Sequence, residues 1–569
     1  MTAAGAADKF FFVQHCPYNA PMDSIEIVLA MLLAVIASAY LKRMLPAGLP
    51  LPLVQIALGA GIAAWSGHGI ELDPELFFLL FIPPLLFLDG WRIPNTGLFR
   101  DRVVILELAL GLVLFTVLGA GYFIHWMIPA MPLPVAFALA AILSPTDPVA
   151  VGSIAKRAPI PKRLMHILEG EALLNDASGL VCFRFAVAAA LTGTFSLASA
   201  SLTFVWLAAA GILAGVAVTA GVAWLQGRLT ARYGEPAGSP ILVSLLIPFG
   251  AYLVAERLHA SGILAAVAAG ITMSYVELGG QALAATRLER TAVWDTVQFA
   301  LNGVMFVLLG EQLPDVLRGA SESLEQSGHL NPWWLVLYAV AISFGLIALR
   351  FIWVWATLRV TLYRRTRRVK GVPEAKPHWR LLLATALAGA RGAITLAGVL
   401  TLPLAMPDGQ PFPARDLTIL LASSVILLSL LAASIGLPRL LGGMHFPEEP
   451  AERQQEDMAR RQAASAAIAA IERAEQALAQ TQHSDVLPQA AARVIALYEH
   501  RLNLAWSAED QNKEHFRKLD RAERELRLAA MQAERHAIFE LARHHHISDE
   551  TARKLVREID LAEARHQKK

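Results

Sequence analysis

Thirteen apolar segments follow one another between residues 25 and 441, each near the length a helix needs to cross a bilayer. A crossing takes about 17–25 helical residues. Hydrocarbon offers backbone N–H and C=O groups no partners, so such segments must satisfy them internally, as helices. They lie at 25–41, 50–66, 75–90, 103–127, 132–155, 166–192, 198–226, 239–256, 260–276, 293–312, 333–361, 380–405 and 417–441. This predicts an all-α polytopic membrane protein with 13 transmembrane helices. The third and ninth segments are short, which suits broken or tilted helices. Composition agrees: 17% of residues are charged, against about 25% in soluble proteins.

The connections predict an orientation. One alternate set carries Lys42 and Arg43; Arg92, Arg100 and Arg102; Lys156, Arg157, Lys162 and Arg163; Arg228 and Arg232; Arg287 and Arg290; and the basic stretch RVTLYRRTRRVKGVPEAKPHWR. The other set holds only Arg257, Arg318 and Arg415. Basic residues stay on the cytoplasmic side. The N-terminus is therefore expected outside and the C-terminus inside, in the plasma (inner) membrane. The opening residues lack a basic region followed by an apolar one, so no cleaved signal peptide is expected. Cys16 and Cys182 give no disulfide framework, and a net charge of +2 gives no argument for nucleic acid.

Three regions are expected: an extracytoplasmic segment at 1–23, a transmembrane domain at 24–443 and a cytoplasmic helical tail at 444–569. The tail is rich in helix formers with interleaved charge. Pro488 should break it, a long amphipathic helix should run from about residue 513 to the histidines, and Ser548 should cap the last helix. His544, His545 and His546 face different directions on a helix and converge poorly on a metal. No cofactor is expected, and no nucleophile–base pair suggests an enzyme.

Ionisable groups inside the spans are costly, roughly 3 kcal/mol even on lenient insertion scales, and are functional hypotheses by default. In ILSPTDPVAV, Pro145 and Pro148 each remove a backbone donor and disfavour helix before them. The fifth span should unwind around Thr146 and Asp147. Freed carbonyls can then ligate a cation, and the Asp147 carboxylate can neutralise the half-helix that begins there. In ALAGARGAITLAG the glycines weaken the twelfth span around Arg391, whose guanidinium can hold the C-terminal end of a half-helix. Two interrupted helices seven spans apart fit inverted repeats and point to a transport site.

The sixth span holds EGEALLND. Glu171 and Asn175 share a face at i, i+4, while Asp176 lies about 100° further round. Glu171 should pair with an arginine, Arg350 first and Arg391 second. Asp176 has no obvious cationic partner, which suits a carboxylate that trades a proton for a cation. Arg184, two turns on, is expected at the outer interface.

With these residues in place, the chain resembles the cation:proton antiporter-1 family of NhaP-like bacterial exchangers and eukaryotic sodium/proton exchangers. The resemblance rests on PPLLFLDGW, SPTDPVAV, EGEALLND, PFGAYLVAE, FALNGVMFVLLG and GARGAITLA, which are collinear across most of residues 25–441. It implies a homodimer in which spans 4–6 and 11–13 form a mobile core beside a dimerisation domain, with elevator-like exchange. It implies that Asp176 binds the ion and proton, with Asp147, Thr146 and Asn175 beside it. Na⁺ would sit at Asp176, Asp147 and the Thr146 backbone. Asp89 would match an acid at the core–dimer boundary, and Glu171 the ion-paired acid. Many members carry Ser directly after that acid. Here it is Ala172, on the face of Asp176, so one hydroxyl ligand is lost. The expected activity is Na⁺ (or Li⁺) exchange for H⁺, electroneutral and one to one. K⁺/H⁺ exchange is the alternative and a cation channel a distant one. Membrane lipid is the other partner.

Overall fold

The computed structural model describes residues 20–45, 50–66, 74–93, 102–147, 152, 162–193, 197–234, 236, 238, 239–278, 284–326, 333–368, 379–442, 444, 450–481, 487–506, 526–541, 544 and 549–564. The chain divides into two compact units, Met1–His445 and Phe446–Lys569.

Among the described residues the regular structure of the first unit is helical, apart from one isolated bridge between Ala405 and Pro411. Its helices are α1 (Ala20–Met44), α2 (Leu51–Ser66), α3 (Pro74–Arg92), α4 (Arg102–Met127), α5 (Leu133–Leu143), α6 (Lys162–Thr192) and α7 (Leu197–Tyr233). After these come α8 (Ser239–Arg257), α9 (Gly262–Leu278), α10 (Ala284–Gln326), α11 (Trp333–Arg368), α12 (Trp379–Leu387), α13 (Ala393–Leu400) and α14 (Arg415–Leu441). By length and apolarity, seven described helices can cross a membrane, and Leu51–Trp65, Leu133–Leu143 and Gly262–Glu277 are shorter apolar helices. Trp126, Trp206, Leu213, Leu246, Trp333 and Phe344 lie more than half exposed. Apolar exposure on this scale suits lipid contact, and aromatic residues near helix ends suit the interface.

Several expectations change. Of the two alternatives for the short third and ninth segments, broken or tilted, the break does not occur: both are continuous helices, and α3 carries Pro83 and Pro84 within it. The tenth segment, expected at 293–312, lies in a helix of 43 residues. Hydropathy marks the lipid-embedded part only, and helix formers such as Ala, Glu, Leu and Arg carry the backbone bonding beyond it.

Two helix groups form. One contains α4, α5, α6, α11, α12, α13 and α14; the other contains α1, α2, α3, α7, α8, α9 and α10. They meet where α10 runs along α14, where α3 reaches α6 and α13, and where α9 reaches α6. Within the second group glycine sets the spacing. A β-carbon on Gly310 would lie 1.9 Å from the Ile56 carbonyl oxygen, and one on Gly59 would lie 1.9 Å from that of Val307. Small residues let membrane helices approach backbone to backbone, where packing rather than the hydrophobic effect holds them. Gly310→Ala should therefore force α2 and α10 apart and cost about 1–3 kcal/mol, the usual range for overpacking. Gly61 has nothing within 4 Å of its β-position, so Gly61→Ala is the control. Thermal unfolding in detergent should show a lower midpoint only for Gly310→Ala; equal midpoints would mean the helices do not pack this closely.

In the first group, α4 widens to a π-helix over Glu107–Leu112. Such a bulge alters the carbonyl ladder, and Ser178 of α6 donates its hydroxyl to the Ala109 carbonyl at 2.6 Å. That bond fixes α6 against α4 two residues from Asp176.

In the second unit α15 (Pro450–Thr481) packs on α16 (Leu487–Trp506). Pro488 stands in the first turn of α16, where its missing N–H has no cost, so it opens a helix. The expected long helix is described over residues 526–541. Arg535 there bonds Glu563 and lies 2.8 Å from Asp560, both on α18 (Asp549–Ala564), where residues 526–541 count as α17. Ser548, His545 and His546 fall outside the described residues; His544 lies in a turn, 3.5 Å from Glu540.

Candidate functional site

The first group is interrupted twice, and the interruptions cross. α5 ends at Leu143 and the chain is non-helical at 145–147. α12 ends at Leu387, and helix resumes only at Ala393. The Asp147 N–H donates to the Ala390 carbonyl at 2.7 Å, tying the two unwound strands together.

Broken helices leave carbonyls without partners at their C-terminal ends. Here arginines take them, where a cation also complements the helix dipole. Arg391 Nε donates to the carbonyl of Leu143, the last residue of α5, at 3.0 Å, and Nη1 donates to Gly389 at 2.6 Å. Its own N–H donates to Ser429 Oγ at 3.0 Å. Arg391 thus serves the other interrupted helix as well as its own strand. Arg350 Nε donates to the Thr385 carbonyl near the end of α12 at 3.1 Å. Asp147 plays the complementary part. Its carboxylate packs against Gly392, the N-cap of α13, so closely that a β-carbon there would lie 1.9 Å from Asp147 Oδ2. The half-helix expected after Asp147 in its own span lies outside the described residues, apart from Gly152.

Glu171 is fully buried and held by both terminal nitrogens of Arg350, Nη2 at 2.7 Å from Oε2. Arg391 makes no hydrogen bond to Glu171 among the described residues. Asn175, on the same face of α6, donates Nδ2 to Thr146 Oγ1 at 3.1 Å, and Thr146 Oγ1 lies 3.5 Å from Glu171 Oε1.

On the other face a cavity of about 30 Å³ opens. That is more than the roughly 10–15 Å³ a single water needs, so a small ion with part of its hydration fits. Asp89 of α3, Thr146, Asp147, Asp176, and Gln298 and Asn302 of α10 line it, with Ala172, Gly392 and Thr395. The cavity therefore lies on the seam between the two helix groups. Asp176 is 5% exposed and enters no hydrogen bond or ion pair among the described residues. Asp89 and Asp147 are half-buried. Three carboxylates facing one small space repel one another, and a cation between them relieves that repulsion. No arginine or lysine lines the wall among the described residues.

The geometry thus gathers Asp89, Thr146, Asp147 and Asp176 at the cavity and sets Glu171, Arg350 and Arg391 behind it. Arg184 is exposed and lies 3.8 Å from Glu256 of α8. Sequence reasoning missed Gln298, Asn302 and Thr395 as lining residues. The signal was a polar pair at i, i+4 in the tenth segment and a threonine directly after the break in the twelfth.

Residues 29–442 match the family described as "Sodium/hydrogen exchanger, transmembrane". The chain is 41% identical over 557 residues to a protein described as an uncharacterized Na(+)/H(+) exchanger, YjcE, of Escherichia coli (strain K12), covering 95% of this chain and 99% of that one. It is 42% identical over 429 residues to the sodium, potassium, lithium and rubidium/H(+) antiporter of Bacillus subtilis (strain 168), covering 74% of this chain and 62% of that one. Its fold is similar to the structure of the sodium proton antiporter MjNhaP1 from Methanocaldococcus jannaschii, with a TM-score of 0.57 at 18% identity over 74% of this chain and 100% of that one.

Proposed function

The chain belongs to the sodium/hydrogen exchanger family, and on that premise we propose that it exchanges cytoplasmic Na⁺, or Li⁺, for external H⁺, one for one. It is an integral multi-pass membrane protein and a monovalent cation/H⁺ antiporter, a transporter rather than an enzyme.

The carrying observation is the cavity at the crossed strands, walled by Asp89, Asp147 and Asp176 and without a cationic side chain on its described lining. In this reading Asp176 takes the cation or the proton. Asp147 and the Thr146 backbone help hold the ion, Asn175 steadies Thr146 from the far face of α6, and Asp89 faces the ion from the other helix group. Glu171, paired with Arg350, stays out of the exchange. The group of α4–α6 and α11–α14 is the mobile core; the other group is the scaffold through which two copies dimerise. Elevator movement along the seam exposes the cavity to each side in turn. In the same reading the chain makes thirteen crossings, the fifth and twelfth broken and related as inverted repeats, and the basic residues of alternate connections keep the tail in the cytoplasm and the N-terminus outside.

A second reading takes K⁺ as the cation: Ala172 leaves a methyl where a hydroxyl ligand could stand, and the Bacillus subtilis relative is described as accepting potassium as well as sodium, lithium and rubidium. Fluxes of Na⁺, Li⁺ and K⁺ driven by a pH gradient in proteoliposomes separate the two readings.

The same vesicles test the stoichiometry. Asn175 cannot titrate, and both carboxylate oxygens of Glu171 are taken by Arg350. Asp176 is then the single group that switches, neutral with a proton and neutral with a monovalent cation. One net charge crossing 100 mV would involve about 2.3 kcal/mol. An imposed diffusion potential should therefore leave the rate nearly unchanged. A sustained current that reverses with the cation gradient would show a second proton carrier.

A further inference from the structure

Thr395 brings a hydroxyl to the cavity wall from α13. Helical threonines commonly return the hydroxyl to the carbonyl four residues back. Thr272, Thr385 and Thr418 do so, at 2.7, 2.8 and 2.7 Å. Thr395 cannot do this in the same way. It lies in the first turn of α13, and the residue four back, Arg391, belongs to the unwound strand. The intervening Gly392 is extended, at φ −130 and ψ −158. Thr395 is 2% exposed, lines the cavity, and its hydroxyl makes no hydrogen bond among the described residues. The hydroxyl is not sealed among side chains; it is left free on the cavity wall, where water or an ion can meet it.

Ala172 supplies the other half of the argument. It lines the same cavity one turn before Asp176 and presents only a methyl group. Hard monovalent cations need several oxygen ligands, and carboxylates alone would leave the ion over-neutralised and the acids crowded. A hydroxyl offers two lone pairs to a cation, and its proton can turn toward a carboxylate. We propose that the Thr395 hydroxyl is a direct ligand of the transported cation, supplying from α13 the neutral oxygen that Ala172 does not supply from α6. Because α13 follows the strand that carries Gly392 against Asp147, this ligand is positioned by the same crossing that positions the acid. The proposal rests on the antiport reading of this cavity and names a residue that reading does not use.

The test is cation-dependent exchange in proteoliposomes carrying wild type, Thr395→Val, Thr395→Ser and the double variant Thr395→Val/Ala172→Ser, with Na⁺, Li⁺ and K⁺ compared at one pH. Loss of one neutral ligand should raise the apparent KM for Na⁺ about tenfold in Thr395→Val, with a smaller change in kcat, and should alter the Li⁺:Na⁺:K⁺ ratio. Thr395→Ser keeps the hydroxyl and should stay near wild type. The double variant, with its hydroxyl carried by α6 instead of α13, should recover part of the lost affinity. Wild-type KM and selectivity in Thr395→Val would overturn the proposal, as would a Thr395→Ser protein as impaired as Thr395→Val. Absence of exchange in the wild type would instead remove the antiport reading beneath it.

Discussion

Replacing Asp176 by Asn should abolish cation/proton exchange and leave the protein folded. Asp176 and Asn occupy nearly the same volume, so packing against Ala172 and the strand at 145–147 is retained. Asp176 makes no hydrogen bond or ion pair among the described residues, so no partner is left stranded by the change. An amide, however, neither binds and releases a proton nor balances the charge of a cation. At the cavity that leaves Asp89 and Asp147, and Asp147 is committed to the N-terminal end of α13. Flux should fall to the level of empty vesicles at every pH, while the thermal midpoint in detergent stays within a few degrees of wild type. Proton-coupled transport retained in this variant would move the exchanging role to another acid.

Glu171→Ala should have the opposite signature, a large loss of stability. Glu171 is fully buried and Arg350 is 3% exposed. Removing one partner of a buried pair leaves an uncompensated charge in a low dielectric, typically at a cost of about 3–5 kcal/mol. Arg350→Ala should cost at least as much, because Arg350 also holds the Thr385 carbonyl at the end of α12. Replacing both partners with apolar residues of similar volume, as in Glu171→Leu/Arg350→Met, should recover much of the stability, since a buried pair often contributes little over a well-packed apolar one. Thermal unfolding of the three variants checks this. A Glu171→Ala protein with a wild-type midpoint and no transport would place Glu171 in the ion chemistry itself.

Much of the site was legible in the chain because its causes are local. Pro145 and Pro148 remove donors and disfavour helix wherever they stand, and glycines around Arg391 weaken helix wherever they stand. Both interruptions could therefore be located without knowing what surrounds them. The facing of Glu171 and Asn175 together, and of Asp176 apart, follows from 3.6 residues per turn. Seven of the expected spans are long, apolar helices for the same reason: hydrocarbon leaves the backbone no other bonding.

What remained open depended on how distant helices cross. Glu171 and Arg350 are 179 residues apart; the sequence puts Arg350 ahead of Arg391 without excluding either, and the approach of α6 to α11 decides it. Sequence could say that Asp147 and Arg391 would compensate helix ends, yet it is the crossing of the two strands that puts Asp147 at α13 and Arg391 at α5. Gln298, Asn302 and Thr395 read as ordinary polar residues until α10 and α13 are laid against the cavity. Periodicity and backbone chemistry act over a few residues, so they determine elements and breaks. The meeting of side chains from α3, α6, α10 and α13 around one small volume is set by packing angles and backbone approach distances, which only the assembled fold contains.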